Sequence, residues 1–290
     1  RGLLYKGFKI VPYCPRCGTP LSSHEVAQGY KEVKERSAIA RFKVKDEDAY
    51  ILAWTTTPWT LPSNLALCVN PKEDYVKVKT GEGYTYYIAQ ALAETVLGES
   101  FEILKRYKGR ELEFKEYEPL YDCSVPLCEK QHKKAFYVVC ADYVTLTDGT
   151  GIVHIAPTFG ADDALVAKAA GVPPLQLVNK KGELRPMVDL TGKFYTLDEL
   201  DEDFVKQRVN VDLYKEYAGR FVKNAYDPNL SDQDESLDVS ICMMMKVNNQ
   251  AFKIEKHVHN YPHCWRTDKP VLYYPLDSWF IRSTACKERM

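Results

Sequence analysis

A short stretch crowded with hydroxyl groups is the first place where this sequence could do chemistry. Residues 54–64 read WTTTPWTLPSN and carry four threonines, one serine and one asparagine. Each hydroxyl can donate and accept a hydrogen bond without carrying charge at neutral pH, so the stretch could hold a water molecule or the edge of a sugar. The alternative is a turn in which the Ser and Thr side chains bond to their own backbone.

A histidine and an aspartate occupy a second candidate stretch, residues 149–163, which reads GTGIVHIAPTFGADD. The stretch begins with a glycine turn, continues as a short apolar strand that carries His154, and ends with a proline stop. An alanine-rich helix follows, and Gly171 is expected to end it. Asp163 falls in or near the first turn of that helix. The alternatives are structural: Asp162 or Asp163 would cap the helix or complement its dipole, and His154 would be a packed strand residue.

The elements that must position these side chains are mostly short strands. A strand at 50–53 runs directly into the threonine-rich stretch, and Pro58 and Pro62 end it because proline cannot donate to a sheet ladder. Further segments rich in β-branched and aromatic residues lie at 37–44, 65–69, 75–78, 84–89, 102–112 and 135–144. Helices are predicted at 90–97 and, with an amphipathic pattern, at 197–217. Many short strands of this kind favour a barrel or a sandwich.

The two candidate stretches together resemble the editing domain of isoleucyl-tRNA synthetase, the insertion called connective peptide 1 in the class I synthetases for Ile, Val and Leu. Both ends of the chain fit as well, because residues 12–22 resemble an outgoing stalk and residues 261–266 and 277–281 resemble its return. Valyl and leucyl relatives typically carry Arg-Pro after the threonine pair. The sequence Thr57-Pro58-Trp59-Thr60 indicates the isoleucyl branch instead.

The resemblance implies a fold, a β-rich α+β mixed β-barrel with peripheral helices. Residues 32–252 would form the editing domain, and residues 1–31 and 253–290 the zinc-ribbon-like stalk that connects it to the synthetase core.

The resemblance also implies an activity, an aminoacyl-tRNA deacylase that removes valine from Val-tRNA(Ile) by ester hydrolysis at the 3′-terminal adenosine. Its partners would be the 3′ end of tRNA(Ile) and the rest of the synthetase chain. The alternative is a module that binds the tRNA acceptor end and is inactive without the synthetase body. Because the sequence carries neither a HIGH-type nor a KMSKS-type signature, aminoacylation by this chain alone is not expected.

The resemblance assigns the catalytic roles to an aspartate and to the threonines. Asp163 would be ionised and would hold the α-ammonium of the substrate, a charge-assisted contact that a carboxylate supplies well. Thr55, Thr56 and Thr57 would line the attacking water and the terminal ribose. No cofactor is required for editing, because an aminoacyl ester is already activated, and positioning a water and stabilising the oxyanion should be enough.

Four further residues are predicted to contact the substrate. His154 would lie beside the amino-acid side chain and set its permitted size, and Thr60 would contribute to the same pocket. Trp59 would either pack against the substrate or wall the pocket. Asn64 would either bond to the nucleotide or fix the threonine turn.

A cysteine pair near the start of the chain has the spacing of a zinc knuckle, Cys14-x-x-Cys17. Zinc takes four ligands, and the natural second pair would lie near the other end, where Cys264 is present but Thr267 stands where some family members have a second cysteine. Two histidines are alternative donors, His24 and His263. A structural zinc that ties the two ends together is one interpretation, and a ribbon held by packing alone is the other.

The composition excludes several functional classes. A chain of 290 residues that is 45% hydrophobic can bury a sizeable core, and no apolar run is long enough to cross a bilayer. A formal net charge of −1 excludes a bulk polycation, so any RNA contact must come from local basic patches. Nine cysteines without a disulfide pattern indicate a reducing, cytoplasmic setting. The candidate basic patches are Lys253, Lys256, His257 and His259, and residues 132–134.

Overall fold

The computed structural model describes residues 2–121, 135–231 and 233–289, so the basic patch at 132–134 lies outside the described residues. The strands are β1 (Leu4–Cys14), β2 (Thr19–Pro20), β3 (Tyr30–Lys43), β4 (Tyr50–Thr55), β5 (Ala66–Val69), β6 (Asp74–Thr80), β7 (Thr85–Ala89), β8 (Phe101–Lys108), β9 (Tyr137–Cys140), β10 (Ile152–Ile155), β11 (Leu177–Val178), β12 (Leu184–Arg185), β13 (Ala251–Pro262) and β14 (Leu272–Ile281). The α-helices are α1 (Ser23–Ala27), α2 (Gln90–Leu97), α3 (Ala161–Ala170), α4 (Glu202–Arg208), α5 (Val211–Tyr214) and α6 (Leu237–Val247). Within these ranges no helix combines the length and the apolarity that a membrane crossing needs.

In the described part of the chain, one mixed sheet of nine strands forms the main body of the fold, and β4 is its branch point. Along one edge β4 pairs antiparallel with β3, which in turn pairs with β13. Along its other edge β4 pairs in parallel with β7 near its start and with β10 near its end. The sheet curls into a half-barrel with the helices around it, and the predicted β-rich α+β fold is confirmed.

The alternation of side chains along β4 builds a core on each face of the sheet. Ile51 and Ala53 belong to the larger cluster of buried residues, whereas Leu52 belongs to a second cluster with Val76 and Ile88. Successive side chains of a strand point to opposite faces, so an apolar run such as β4 is buried on both sides. A strand buried in this way holds its two ends in fixed positions.

A long antiparallel ribbon, β1 paired with β14, extends from the sheet and has its own small core. That core consists of the buried residues Cys14, Leu21, Val26, Cys264 and Val271. The pairing of β3 with β13, from Tyr30–Pro262 to Ala40–Ala251, connects the ribbon to the mixed sheet. The expected domain boundaries at 31/32 and 252/253 fall inside β3 and β13, so the division into stalk and editing domain stays a prediction.

The expectation of one amphipathic helix at 197–217 is wrong. The segment forms a 3₁₀ turn followed by the two short helices α4 and α5. The Asp201 side chain accepts a hydrogen bond from the Phe204 N–H, and the Asn210 side chain accepts one from the Leu213 N–H. Each of these side chains caps a new helix start, and such caps compete with continuation of a single helix.

Candidate active site

Strand β10 brings the two candidate stretches to one edge of the sheet. Val153 pairs with Trp54 of the parallel strand β4, and His154 pairs with Leu67 of the antiparallel strand β5. Neighbouring parallel strands end at the same edge of a sheet. The threonine-rich stretch that follows β4 and the helix α3 that follows β10 therefore leave the sheet side by side.

The threonine-rich stretch forms a 3₁₀ turn at Pro58–Ser63. We refer to residues 55–63, this turn and the three threonines before it, as the threonine turn. The Thr57 N–H donates to Thr55 Oγ1 at 3.0 Å, and Thr60 Oγ1 donates to the Thr57 carbonyl at 2.8 Å. The hydroxyl oxygens of Thr57 and Thr60 are 3.4 Å apart. Thr55 and Thr60 are buried, whereas Thr56 and Thr57 are half-buried. Side-chain bonds to the local backbone are thus present, and Thr56 and Thr57 keep the exposure that contact with a ligand requires.

His154 joins β10 to the threonine turn. Its Nε2 lies 3.0 Å from Thr60 Oγ1 in a buried contact. Its Nδ1 is buried without a hydrogen-bond partner in the described part of the chain. Burial lowers the pKa of His154 to about 4, so the imidazole is neutral at physiological pH. A neutral ring fixed by Thr60 can form a wall of a pocket, and it is too weakly basic at pH 7 to be an effective proton acceptor.

Asp163 lies in the first turn of α3 and turns its carboxylate back towards the end of β10. Its Oδ2 accepts a hydrogen bond from the Ala156 N–H at 2.9 Å. A Cβ at Gly160 would lie 2.7 Å from Asp163 Cγ, so the absence of a side chain at Gly160 leaves room for this carboxylate. Burial raises the pKa of Asp163 to about 7, although the Ala156 N–H acts in the opposite direction. The predicted effect of the helix terminus, a fully ionised Asp163, is therefore opposed by burial.

Trp59 lies in the threonine turn and Asn64 directly follows it, and both side chains are buried. The Trp59 ring packs edge-on against Phe159, with ring centroids 5.0 Å apart, and so links the turn to the segment before α3. The Asn64 amide donates to the Ala66 carbonyl at 2.8 Å and accepts from the Tyr117 hydroxyl at 2.7 Å. These contacts favour a role for Asn64 in fixing the turn and a role for Trp59 in walling the pocket.

Two residues near the turn were not singled out from the sequence. Asp238, the second residue of α6, accepts a hydrogen bond from the Trp59 N–H at 2.8 Å. Thr158 is buried, and its hydroxyl has no partner among the residues described. Asp238 is separated from Trp59 by 179 positions, and no periodicity or motif connects two residues so far apart.

Three cysteines converge at the base of the ribbon. The sulfur atoms of Cys14, Cys17 and Cys264 all lie within 4.8 Å of one another, and those of Cys17 and Cys264 are 3.6 Å apart. Four sulfurs bound tetrahedrally at 2.3 Å from zinc are about 3.8 Å apart, so the three thiols fit a zinc ion. Thr267 Oγ1 lies 3.3 Å from Cys14 Sγ, beside the same cluster.

The electrostatics of the cluster favour a metal ligand at one position. Burial raises the pKa of the Cys264 thiol, but hydrogen bonds from Thr267 and Arg266 outweigh burial and lower that pKa to about 7. The thiolate is the form that binds metal. The alternative donor His263 bonds to the Tyr261 carbonyl through Nδ1, and His24 is exposed on α1. Among the described residues the cluster is thus a three-cysteine candidate with the Thr267 hydroxyl beside it, and zinc binding stays a prediction.

We expect the variant Thr267→Cys to convert this cluster into a tight zinc site. Four thiolates complete the tetrahedron, and because metal binding contributes directly to folding, chelation of the variant should lower Tm by about 5 °C or more. Elemental analysis and thermal melts with and without chelator measure both effects. The matched control is Thr267→Ser, which keeps the hydroxyl. Equal zinc content and equal chelator sensitivity in the two variants would contradict the expectation.

Three of the four residues in the predicted basic run on β13 have neighbours that neutralise or cover them. Lys253 pairs with Glu255 at 2.8 Å, and His259 Nε2 lies 3.5 Å from a carboxylate oxygen of Glu35. Burial lowers the pKa of His259, and His257 packs edge-on against an aromatic ring of β4. These contacts favour the alternative of an ordinary strand face over an RNA-binding patch.

The sequence matches a protein family along its whole length. The family model for class I tRNA synthetases (I, L, M and V) covers residues 1–290. Isoleucine–tRNA ligases are 67% identical in Bacteroides fragilis, 50% in Porphyromonas gingivalis and 49% in Clostridium novyi, and each alignment covers the entire chain. The chain spans 28%, 28% and 24% of the lengths of these three relatives.

Solved structures give a weaker likeness. The cytosolic leucyl-tRNA synthetase editing domains of P. knowlesi and P. falciparum match with TM-scores of 0.47 and 0.44, at 14% and 13% identity. The matches cover 79% and 76% of this chain and 99% of each editing domain. The sequence matches show that the chain belongs to the class I tRNA synthetases of the isoleucine, leucine, methionine and valine group.

Proposed function

We propose that this chain is the editing domain of an isoleucyl-tRNA synthetase and hydrolyses the valyl ester of Val-tRNA(Ile) in the cytoplasm. The observation that carries the proposal is the buried contact between His154 and Thr60, which joins the two candidate stretches. Asp163 accepts a hydrogen bond from the Ala156 N–H, two residues beyond His154. The partners are the 3′ end of tRNA(Ile) and the rest of the synthetase chain.

The need for such an activity follows from a limit on selectivity. A synthetic pocket that accepts isoleucine cannot strongly exclude valine, since one methylene is worth only about 1–3 kcal/mol, a general limit for which this class of synthetase is the standard example. A second site that admits the smaller side chain and excludes the larger one removes the error. Such a site must recognise the ester, the α-ammonium and the size of the side chain.

The residues of the site suit these three tasks. Asp163 in its ionised form binds the α-ammonium, and Thr56 and Thr57 hold the terminal ribose and a water that attacks the ester carbonyl. The bond from the carbonyl carbon to the ribose oxygen breaks, that oxygen takes a proton from the attacking water, and valine leaves. The neutral His154 imidazole, fixed by Thr60, limits the space for the amino-acid side chain.

Deacylation of Val-tRNA(Ile), measured beside Ile-tRNA(Ile), tests the proposal with this chain and with a full-length synthetase that contains it. Fast loss of valine and slow loss of isoleucine are expected from both proteins. Tight tRNA binding with background hydrolysis by the isolated chain, together with activity in the full-length protein, would identify a binding module that needs the synthetase body. Background rates in both proteins would overturn the proposal.

The activity should depend on pH through Asp163. Because the pKa of Asp163 is about 7, about a tenth of the carboxylates are ionised at pH 6 and about nine tenths at pH 8. If the ionised form binds the α-ammonium, kcat/KM should rise about fivefold between pH 6 and pH 7. It should level off and fall again near pH 8, because the α-amino group of the substrate has a pKa of about 8 and must be protonated to bind the carboxylate. His154, with a pKa near 4, stays neutral throughout and adds no step. Deacylation rates corrected for spontaneous hydrolysis measure the effect. The control is Asp163→Asn, whose rate should not rise between pH 6 and pH 7.

A further inference from the structure

A buried cluster of charged residues lies behind the threonine turn, outside the residues assigned to the reaction. The Lys223 ammonium lies 2.7 Å from both carboxylate oxygens of Glu35 and 3.8 Å from Oδ2 of Asp238. Lys223 and Asp238 are each less than a tenth exposed. The cluster forms one side of a cleft of about 810 Å³ bounded by β3, β13 and the start of α6.

The other oxygen of Asp238 reaches the threonine turn. Asp238 Oδ1 accepts a hydrogen bond from the Trp59 N–H at 2.8 Å, in a buried contact. The first N–H groups of a helical turn have no partner within the turn, and Pro58 before Trp59 has no N–H at all. The Trp59 N–H is therefore the first donor of the turn that needs an external acceptor, and α6 supplies that acceptor as a carboxylate.

Fixing this one N–H fixes the backbone that carries the reacting hydroxyls. Trp59 stands between Thr57 and Thr60, and the Thr60 N–H and hydroxyl both bond to the Thr57 carbonyl. Thr60 in turn holds His154. At the far end of the turn, Asn64 is held by Ala66 and Tyr117. Asp238 thus secures the beginning of the turn as Asn64 secures its end.

The Lys223 ammonium stabilises the buried carboxylate of Asp238. A buried carboxylate without a countercharge is costly, and Lys223 faces Asp238 on one side and Glu35 of β3 on the other. The orientation of Asp238 is set by two partners at once, Lys223 through Oδ2 and the Trp59 N–H through Oδ1. The geometry of the turn is consequently tied to α6 and β3, two elements that carry none of the residues assigned to the reaction.

We propose that Asp238, oriented by Lys223, is a positioning residue for deacylation that holds the threonine turn in its reactive geometry. The inference rests on the proposed function for its effect on rate. The effect of Asp238 on the conformation of the threonine turn does not depend on that function. Asp238 acts through Trp59 and the threonines, and it does not touch the substrate.

Two near-isosteric variants in the full-length synthetase separate hydrogen bonding from charge. Asp238→Asn and Asp238→Leu both remove the negative charge beside Lys223, and only the asparagine keeps an oxygen for the Trp59 N–H. We expect kcat for Val-tRNA(Ile) to be about 10- to 100-fold lower in the leucine variant than in the asparagine variant, with KM within about twofold because binding groups are retained. The matched control is Glu47→Gln, which should leave kcat unchanged. Glu47 is a partly buried carboxylate bound by Lys77, Lys115 and Tyr87, and it precedes β4, at the opposite end of that strand from the turn.

Amide hydrogen exchange tests the same inference without relying on activity. In Asp238→Leu, the peptide spanning residues 56–63 should exchange faster than in Asp238→Asn, while a peptide from β6 to β8 should exchange alike in both. Equal exchange of the turn in two folded variants would overturn the inference, and so would equal kcat in the two variants of an active wild type. An inactive wild type with a turn that loosens only in the leucine variant would instead count against the proposed function and leave Asp238 as the anchor of the turn.

Discussion

Asp163→Ala is expected to abolish the hydrolysis of Val-tRNA(Ile), with a loss of at least about 100-fold in kcat/KM, while the fold is retained. Among the described residues assigned to the site, Asp163 is the carboxylate that can bind a substrate ammonium by a charge-assisted contact. Removing it leaves the ester without a fixed orientation towards the water on the threonines. Steady-state deacylation measures the loss, and circular dichroism with a thermal melt shows whether the fold persists.

Asp162 provides a matched control for this experiment. It is an exposed carboxylate on the same first turn of α3, so it has the same relation to the helix dipole as Asp163. Asp162→Ala should keep nearly full activity. Asp163→Asn should retain the hydrogen bond from the Ala156 N–H but lose the charge, and it should be nearly as inactive as the alanine variant. Full activity in Asp163→Ala would remove the central claim about the site.

His154→Ala should have the second large effect, a gain of unwanted activity. Without the imidazole the pocket becomes wider, and isoleucine, with its one additional methylene, is no longer excluded. Hydrolysis of the cognate Ile-tRNA(Ile) should rise at least about 10-fold, in line with the value of one methylene in such a pocket. Hydrolysis of Val-tRNA(Ile) should change little, because the neutral imidazole is not the proton acceptor. Parallel time courses with the two esters measure the ratio.

The contrary outcome for His154 is equally informative. A variant that hydrolyses neither ester while keeping its fold would assign His154 to the chemistry and would contradict its role as a size limit. The control is His257→Ala, which removes an imidazole that packs against the Trp54 ring on β4. That variant should keep the wild-type preference for valine.

Many of the strands were predictable because local patterns specify them. The apolar run of β4, the proline stop after β10 and the αL glycine at Gly171 that ends α3 all act over a few residues. The pairing of the two candidate stretches came from the resemblance to a known family, since no local pattern predicts that β10 inserts beside β4.

Other features depended on partners that are distant in sequence and were not predictable. The periodicity over 197–217 suggested one helix, yet Asp201 and Asn210 cap separate starts. The ionisation of Asp163 depends on how much of the protein surrounds it, which a sequence position near a helix terminus does not reveal. Asp238 could not be linked to the threonine turn before α6 was seen to lie against it.

The position of β10 between β4 and β5 has a consequence for synthesis on the ribosome. The threonine turn is translated long before β10, α3 and α6, and contacts between segments so distant in sequence form late in folding. A nascent chain therefore exposes its threonines while His154, Asp163 and Asp238 have not yet been added. The proposed deacylase activity would therefore arise only in the completed domain. A partly translated chain would not hydrolyse the aminoacylated tRNAs near the ribosome.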